Sequence, residues 1–354
     1  MGERRIVRIE WMDFARALAI TLVVLNHAVE YAWPLNVPVF SQMTGMAAAL
    51  RIGLFTLGRL GVPLFLFLSG ALHLSKQIDD DGGVLRFYRQ KLLPLLLACE
   101  IWIVVYNLFM TFRIGIPFSL SSLLRKMLFL EQSDLQHMWY MAMMLGIYLA
   151  VPFLTQLVKR FSLYSLTVPM GVVFCVSFLM ALWNLLRAAD GKAGVSTILD
   201  LNFLGAHYGF YLLCGFFLVR KKLLRRLRTA TTVLLCVLFF GLTVWFQLWS
   251  WKKGYAYNVW YNFPGLLLCS IFLFELLRRL PRRIPGAEAV SRLSLAVFFL
   301  HRPIQLLILD RLPPGQPILN LLILWGTGLV LSLILAVLVR LWKPAARILF
   351  LIKD

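Results

Sequence analysis

Asp13, Arg16, His27 and Glu30 stand in one apolar run near the start of the chain, and a histidine is the side chain best suited to move a proton near neutral pH. Arg16 and His27 are eleven positions apart, which on a helix is three turns plus about 20°, or about 16 Å along the axis. The two share one face at different depths. The arginine suits an anion, and the imidazole suits work as a base or a nucleophile. Asp13 lies three positions before Arg16 and Glu30 three after His27, so each acid can touch its neighbour. A carboxylate beside His27 either favours the charged ring or orients the neutral one as a base. The alternative is a snorkelling arginine, a core histidine satisfied by a neighbour, and two interfacial acids.

Further ionisable residues punctuate later apolar runs, among them Glu100, His137, His207, Glu275, His301 and Arg302. Such groups are expensive in hydrocarbon and default to functional candidates. His301 is expected to face the same cavity as His27, or else to be a satisfied core histidine. Ser294 lies seven positions earlier on the same run, and Trp139 follows His137 by two. Arg86, Arg89 and Lys91 form a basic cluster suited to phosphate, lipid headgroups or topology. In the stretch from Gly61 to Gly70, Ser69 and Gly70 are expected to pack against the first helix, because small residues let membrane helices approach.

The elements that must hold these residues follow from composition. Of the 354 residues, 60% are hydrophobic and 15% charged, against about 45–50% and 25% in a soluble domain. Apolar runs of about 20 residues fit an all-α, polytopic bundle of membrane helices. About ten spans are expected, over 12–32, 56–75, 92–112, 138–157, 164–186, 203–219, 230–249, 259–277, 293–310 and 318–340. Segments 43–55 and 119–130 read as amphipathic helices in the outer interface. The basic residues gather on one side: Arg4, Arg5 and Arg8; Lys76 to Lys91; Lys159 and Arg160; Arg220 to Arg228; Arg278 to Arg292; Arg340 to Lys353. That bias predicts cytoplasmic termini. The first apolar run is too long for a signal peptide and lacks a cleavage site, so it reads as a retained span. Residues 1–354 read as a single domain.

The net charge of +20 is spread between spans and makes no basic strip interleaved with aromatics, so nucleic acid is not expected as a partner. Cys99, Cys175, Cys214, Cys236 and Cys269 form no Cys-x-x-Cys pair, and no metal is expected.

The stretch from Asp13 to His27 resembles the first-helix signature of the acyltransferase-3 family of membrane O-acyltransferases. Gly61 to Gly70 is similar to that family's Phe-Phe-x-x-Ser-Gly segment, Arg86 to Pro94 to its basic mouth of the third helix, Gln136 to Tyr140 to its His-x-Trp-Phe element, and Ser294 to His301 to its late Ser-Tyr-x-x-Tyr-x-x-His element. The departures are Pro63 for a common Asp, Tyr140 for Phe, and Leu295 and Phe298 for Tyr.

The resemblance implies acyl transfer, most often of acetyl, from cytoplasmic acetyl-CoA or another acyl-CoA to a hydroxyl of an extracytoplasmic glycan or lipid-linked sugar. It places the chain in the cytoplasmic (inner) membrane, with no bound cofactor, acyl-CoA being the donor substrate. Arg16, Arg86, Arg89 and Lys91 would bind the donor, and His27, Asp13, Glu30, His137 and His301 would serve catalysis. Ser69, Glu100, Trp139 and Ser294 would support them. An oxyanion donor is sought among His137, Ser69 and His301. Many members carry an extracytoplasmic hydrolase-like domain, which here would be a separate partner protein. The alternative reading is a polytopic transporter or exporter of a small molecule or glycan.

Overall fold

The computed structural model describes residues 9–199, 201, 206–280 and 284–352. Arg4, Arg5, Arg8, Arg282, Arg283, Lys353 and the start of the span expected at 203–219 lie outside them. The helices are α1 Glu10–Ala32, α2 Val37–Gln42, α3 Gly45–Arg59, α4 Gly61–His73, α5 Asp81–Phe87, α6 Leu93–Ile114, α7 Leu120–Met127, α8 Trp139–Arg160, α9 Leu163–Phe174, α10 Met180–Ala189, α11 Ala206–Arg220, α12 Thr229–Lys252, α13 Pro264–Arg278, α14 Ala287–Leu309, α15 Pro317–Arg340 and α16 Lys343–Phe350. No strand occurs among the described residues. The fold is an all-α polytopic helix bundle.

Eight helical stretches are long and apolar enough to cross a membrane among the described residues. They match the expected spans except in two ways. The span expected at 259–277 is the 15-residue helix α13, shorter than the roughly 20 residues a bilayer core takes, and of the span expected at 203–219 the described residues show Ala206–Arg220 as α11. The segment 43–55 is not a separate interfacial helix. It is the first half of a 29-residue stretch, Gly45–His73, in which α3 passes to α4 through Leu60 in near-helical geometry. Arg51, at the edge of the span expected at 56–75, turns inward: its Nε donates to the Trp33 carbonyl at 3.1 Å and its Nη1 to Asn258 Oδ1 at 3.3 Å.

Helix α1 is the central element, packed by α3, α4, α13, α14 and α15. Ala15, Ala19 and Ala28 are fully buried on it, and such small side chains let neighbours approach. A Cβ on Gly58 would meet Asn26 Cα at 2.7 Å, and one on Gly61 the Ala19 carbonyl at 2.6 Å. Helix α14 runs in the same sense as α1. Ser291 Oγ donates to Asp13 Oδ1 at 2.8 Å near their starts, and Arg302 meets His27 and Glu30 near their ends. Gln305 Nε2 reaches the carbonyls of Val24 and Leu324, which ties α15 to the same seam.

Local chemistry explains other features. Five residues of π-helical turn, Tyr88–Leu92, precede Pro94; proline removes one donor and clashes with the carbonyl four residues back, and the wider turn relieves both. Helix α6 ends at Gly115 with φ 68°, the left-handed position that favours glycine.

Gly70 does not pack against α1 as the sequence suggests. Gly70 faces α11, where a Cβ would fall 1.8 Å from the Leu212 carbonyl oxygen, and Gly215 of α11 faces Phe67 with 2.1 Å to its carbonyl. Each glycine admits the other helix's backbone. Gly70→Ala is expected to lower the unfolding midpoint, with a cost of about 1–3 kcal/mol from overpacking. Gly146→Ala, with nothing within 4 Å of its Cβ position, is expected to be neutral or stabilising. Equal midpoints for the two variants in thermal unfolding would contradict the packing account.

Candidate active site

His27, His137 and His301 converge from α1, the turn Gln136–Met138 and α14. Their ring centroids lie 5.4 Å (His27 to His301), 6.1 Å (His27 to His137) and 5.3 Å (His137 to His301) apart. His137 is 2% exposed and His301 fully buried. His301 Nδ1 stands 2.9 Å from the Val297 carbonyl. A carbonyl only accepts, so Nδ1 carries the hydrogen and Nε2 of the neutral ring is a lone pair, without a hydrogen-bond partner among the described residues. The Tyr106 hydroxyl donates to the Phe299 carbonyl at 2.7 Å, so its oxygen accepts from His137 Nε2 at 3.4 Å. The lone pair of His137 is therefore Nδ1, also unpartnered.

His27 has two competing neighbours on one nitrogen. Its Nδ1 lies 2.8 Å from Glu30 Oε2 and 2.8 Å from Arg302 Nη1. A carboxylate only accepts and a guanidinium only donates, so the two partners select opposite tautomers. With Nδ1–H donated to Glu30, Nε2 is free to act as a base. With Arg302 donating to Nδ1, the proton sits on Nε2. Arg302 also reaches Glu30 Oε2 at 3.3 Å, and Arg59 Nη2 reaches Glu30 Oε1 at 3.5 Å.

Beside this cluster lies a narrow cavity of about 20 Å³, lined by Asn26, His27, Arg59, Phe65, His137, Trp139, Tyr140, Tyr261 and Phe298 among others. That is room for about one water. Two departures from the expected signatures, Tyr140 and Phe298, line it. Arg59 is held in an aromatic box, with its guanidinium 4.6 Å from the Phe55 centroid and 4.7 Å from that of Trp260, and donates to the Tyr261 hydroxyl at 3.2 Å. A wider surface recess at the start of α14, lined by Gly286, Glu288, Arg292 and Arg340, holds none of the histidines.

Toward the other end of α1 a second polar group forms. His73 Nε2 lies 3.1 Å from the Tyr148 hydroxyl, and Lys76, Lys91 and Arg16 are the cations acting on His73. Arg16 also acts on Tyr140. Tyr140 thus lines the histidine cavity and lies within electrostatic reach of Arg16.

The expected residues divide accordingly. His27, Glu30, His137, His301 and Trp139 meet at the cavity, and Arg16 and Lys91 join the basic group. Arg86, before the π-helical turn, and Arg89, within it, are exposed, whereas Lys91 is half-buried. Asp13 is bonded by Ser291, about 21 Å along α1 from His27, and ties helices instead of serving the histidine. Ser69, Glu100 and Ser294 do not line the cavity. In these tautomers the nitrogens of His137 and His301 without partners among the described residues are acceptors, Nδ1 and Nε2. Close to the histidines, Nε of Arg59 and of Arg302 are donors without partners among the described residues. Intramembrane charge marks both arginines in sequence, whereas Tyr106 carries no sequence signal.

The comparisons then decide the class. The model of the acyltransferase domain family matches residues 9–341, nearly the whole chain. The chain belongs to the acyltransferase-3 family. No curated protein and no solved structure gives a significant match. Within this membrane acyltransferase, Glu30 is the only carboxylate bonded to Arg59 and Arg302 among the described residues. Glu30→Gln is expected to cost about 1–3 kcal/mol of stability by leaving guanidinium donors short of charge. Glu131→Gln, at the exposed pair with Arg125, is expected to leave the midpoint unchanged. Thermal unfolding checks this, and equal shifts would contradict it.

Proposed function

We propose that the protein moves an acyl group, acetyl in the simplest case, from acyl-CoA on the cytoplasmic side to a hydroxyl of a glycan or lipid-linked saccharide on the far side. The observation that carries the reading is the set of buried imidazole nitrogens, His301 Nε2 and His137 Nδ1, left without hydrogen-bond partners among the described residues, beside His27 and the cavity. Buried acceptors without donors cost free energy unless a ligand supplies the donor. A sugar hydroxyl supplies one.

In this mechanism Arg16 and Lys91, on the side that the sequence assigns to the cytoplasm, hold phosphates of the donor. The flexible thioester arm passes Tyr140 to the cavity. Glu30 accepts from His27 Nδ1–H, and His27 Nε2 takes the proton of the acceptor hydroxyl. The hydroxyl oxygen bonds to the thioester carbon, the carbon–sulfur bond breaks, and the imidazolium returns the proton to the departing thiolate. Arg302, beside His27, supplies the donor for the transient oxyanion. A second route lets His27 attack the thioester first and pass the acyl group on.

Release of free thiol from acetyl-CoA by the purified protein in liposomes with mixed membrane glycolipids tests the reading. Wild type is expected to turn over, and His27→Ala and Arg16→Ala to fall by about 10²-fold or more. Acetyl labelling of the protein without acceptor selects the second route. Unchanged turnover in His27→Ala would overturn the reading.

A further inference from the structure

Three guanidinium groups are buried at the Glu30 end of α1: Arg51 is 3% exposed, Arg59 8% and Arg302 9%. Arg59 and Arg302 share the carboxylate of Glu30, at 3.5 and 3.3 Å. Among the described residues Arg51 has no carboxylate bonded to it, only the Trp33 carbonyl and the Asn258 amide, while Glu30 and Arg59 are the charges acting on it. The other ion pairs of this region, Lys126 with Asp134 and Arg113 with Asp310, are each matched within themselves. One carboxylate therefore faces three buried cations. A buried charge without a counter-charge is costly, and Nε of Arg59 and of Arg302 also lack hydrogen-bond partners among the described residues. Arg302 is accounted for by its contact with His27. Arg59 and Arg51 touch none of the histidines, and Arg59 lines the cavity with Trp139, Tyr140 and Tyr261.

We propose that the acceptor is anionic: a saccharide carrying a phosphate or carboxylate, whose negative group sits at Arg59 and Arg51 while its hydroxyl faces His27. The proposal rests on the acyl-transfer reading of the site. Arginine's planar fork suits both oxyanions, and the aromatic wall of Trp139, Trp260 and Tyr261, with centroids 5.0 to 5.4 Å apart, suits a sugar face. Glu30, with 31% of its side chain exposed, marks the open side.

The test uses the purified protein in phosphatidylcholine nanodiscs with glucose, glucose 1-phosphate, glucuronic acid or inorganic phosphate as probe. Binding is read from the unfolding midpoint, and transfer from thiol release with acetyl-CoA. Glucose 1-phosphate and glucuronic acid are expected to raise the midpoint and glucose to leave it unchanged. Arg59→Gln is expected to weaken the charged probes about tenfold or more, and Arg59→Lys, which keeps the charge, to retain most of the binding. Its own midpoint without probe reports whether each variant folds. Glucose binding as well as the charged sugars, or Arg59→Gln binding them unchanged, overturns the proposal. So does inorganic phosphate matching glucose 1-phosphate, which marks a free-anion site, or phosphatidylglycerol in the disc abolishing the sugar effect, which marks a lipid headgroup. Charged sugars that bind without raising thiol release sink the acyl-transfer reading and leave the anion site standing. Thiol release raised equally by glucose keeps that reading and removes the anionic acceptor.

Discussion

Everything in this bundle is arranged around the difficulty of keeping charge inside an apolar helix pack. Two arginines, a carboxylate and three histidines meet at one end of α1, and each must find a partner of opposite chemistry or remain costly. The sharing of Glu30 by Arg59 and Arg302 meets part of that requirement. It also fixes register. Arg302 can reach Glu30 only if α14 lies alongside α1, and the bond from Ser291 to Asp13 holds the same pair at the other end.

That register has functional consequences. Sliding α14 by one residue would turn His301 away from His27 by about 100° and separate the stacked rings. The Tyr106 hydroxyl, shared between the Phe299 carbonyl and His137, locks α6 and the Gln136–Met138 turn into the same arrangement. The bulky stack of Trp102 on Phe299, at 5.1 Å, backs that bond from the apolar side. The imidazoles are thus placed by packed neighbours. Small residues make room for them: without the glycines at positions 58 and 61, α3 and α4 could not come close enough to bring Arg59 to Glu30.

Much of this was legible in the residues. The charges at Arg16, His27 and Glu30 stand out against an apolar run, and helical spacing alone puts Arg16 and His27 on one face. The run lengths gave most of the helices. Three things were not legible. Arg51 looks like the edge of a membrane segment, because spacing does not reveal that Trp33 and Asn258 wait for it inside. Gly70 signals close packing without naming its partner, since the choice of α11 over α1 is set by contacts far apart in sequence. Tyr106 is one tyrosine among many apolar residues, and its bond to a backbone carbonyl on α14 leaves no trace in composition. Asp13 misleads for the opposite reason: it has the right type and a tempting neighbour, yet it sits near the far end of the same helix from His27.

The central claim is that α1 carries a donor site at Arg16 and a reaction centre at His27, joined past Tyr140. The most direct measurement is an experimental structure with a non-hydrolysable thioether analogue of acetyl-CoA. The account predicts phosphate groups against Arg16 and Lys91 and the acyl carbon within about 3–3.5 Å of a reacting oxygen or nitrogen at His27 Nε2. An analogue bound with its acyl end remote from His27, or with its phosphates away from Arg16, would contradict it.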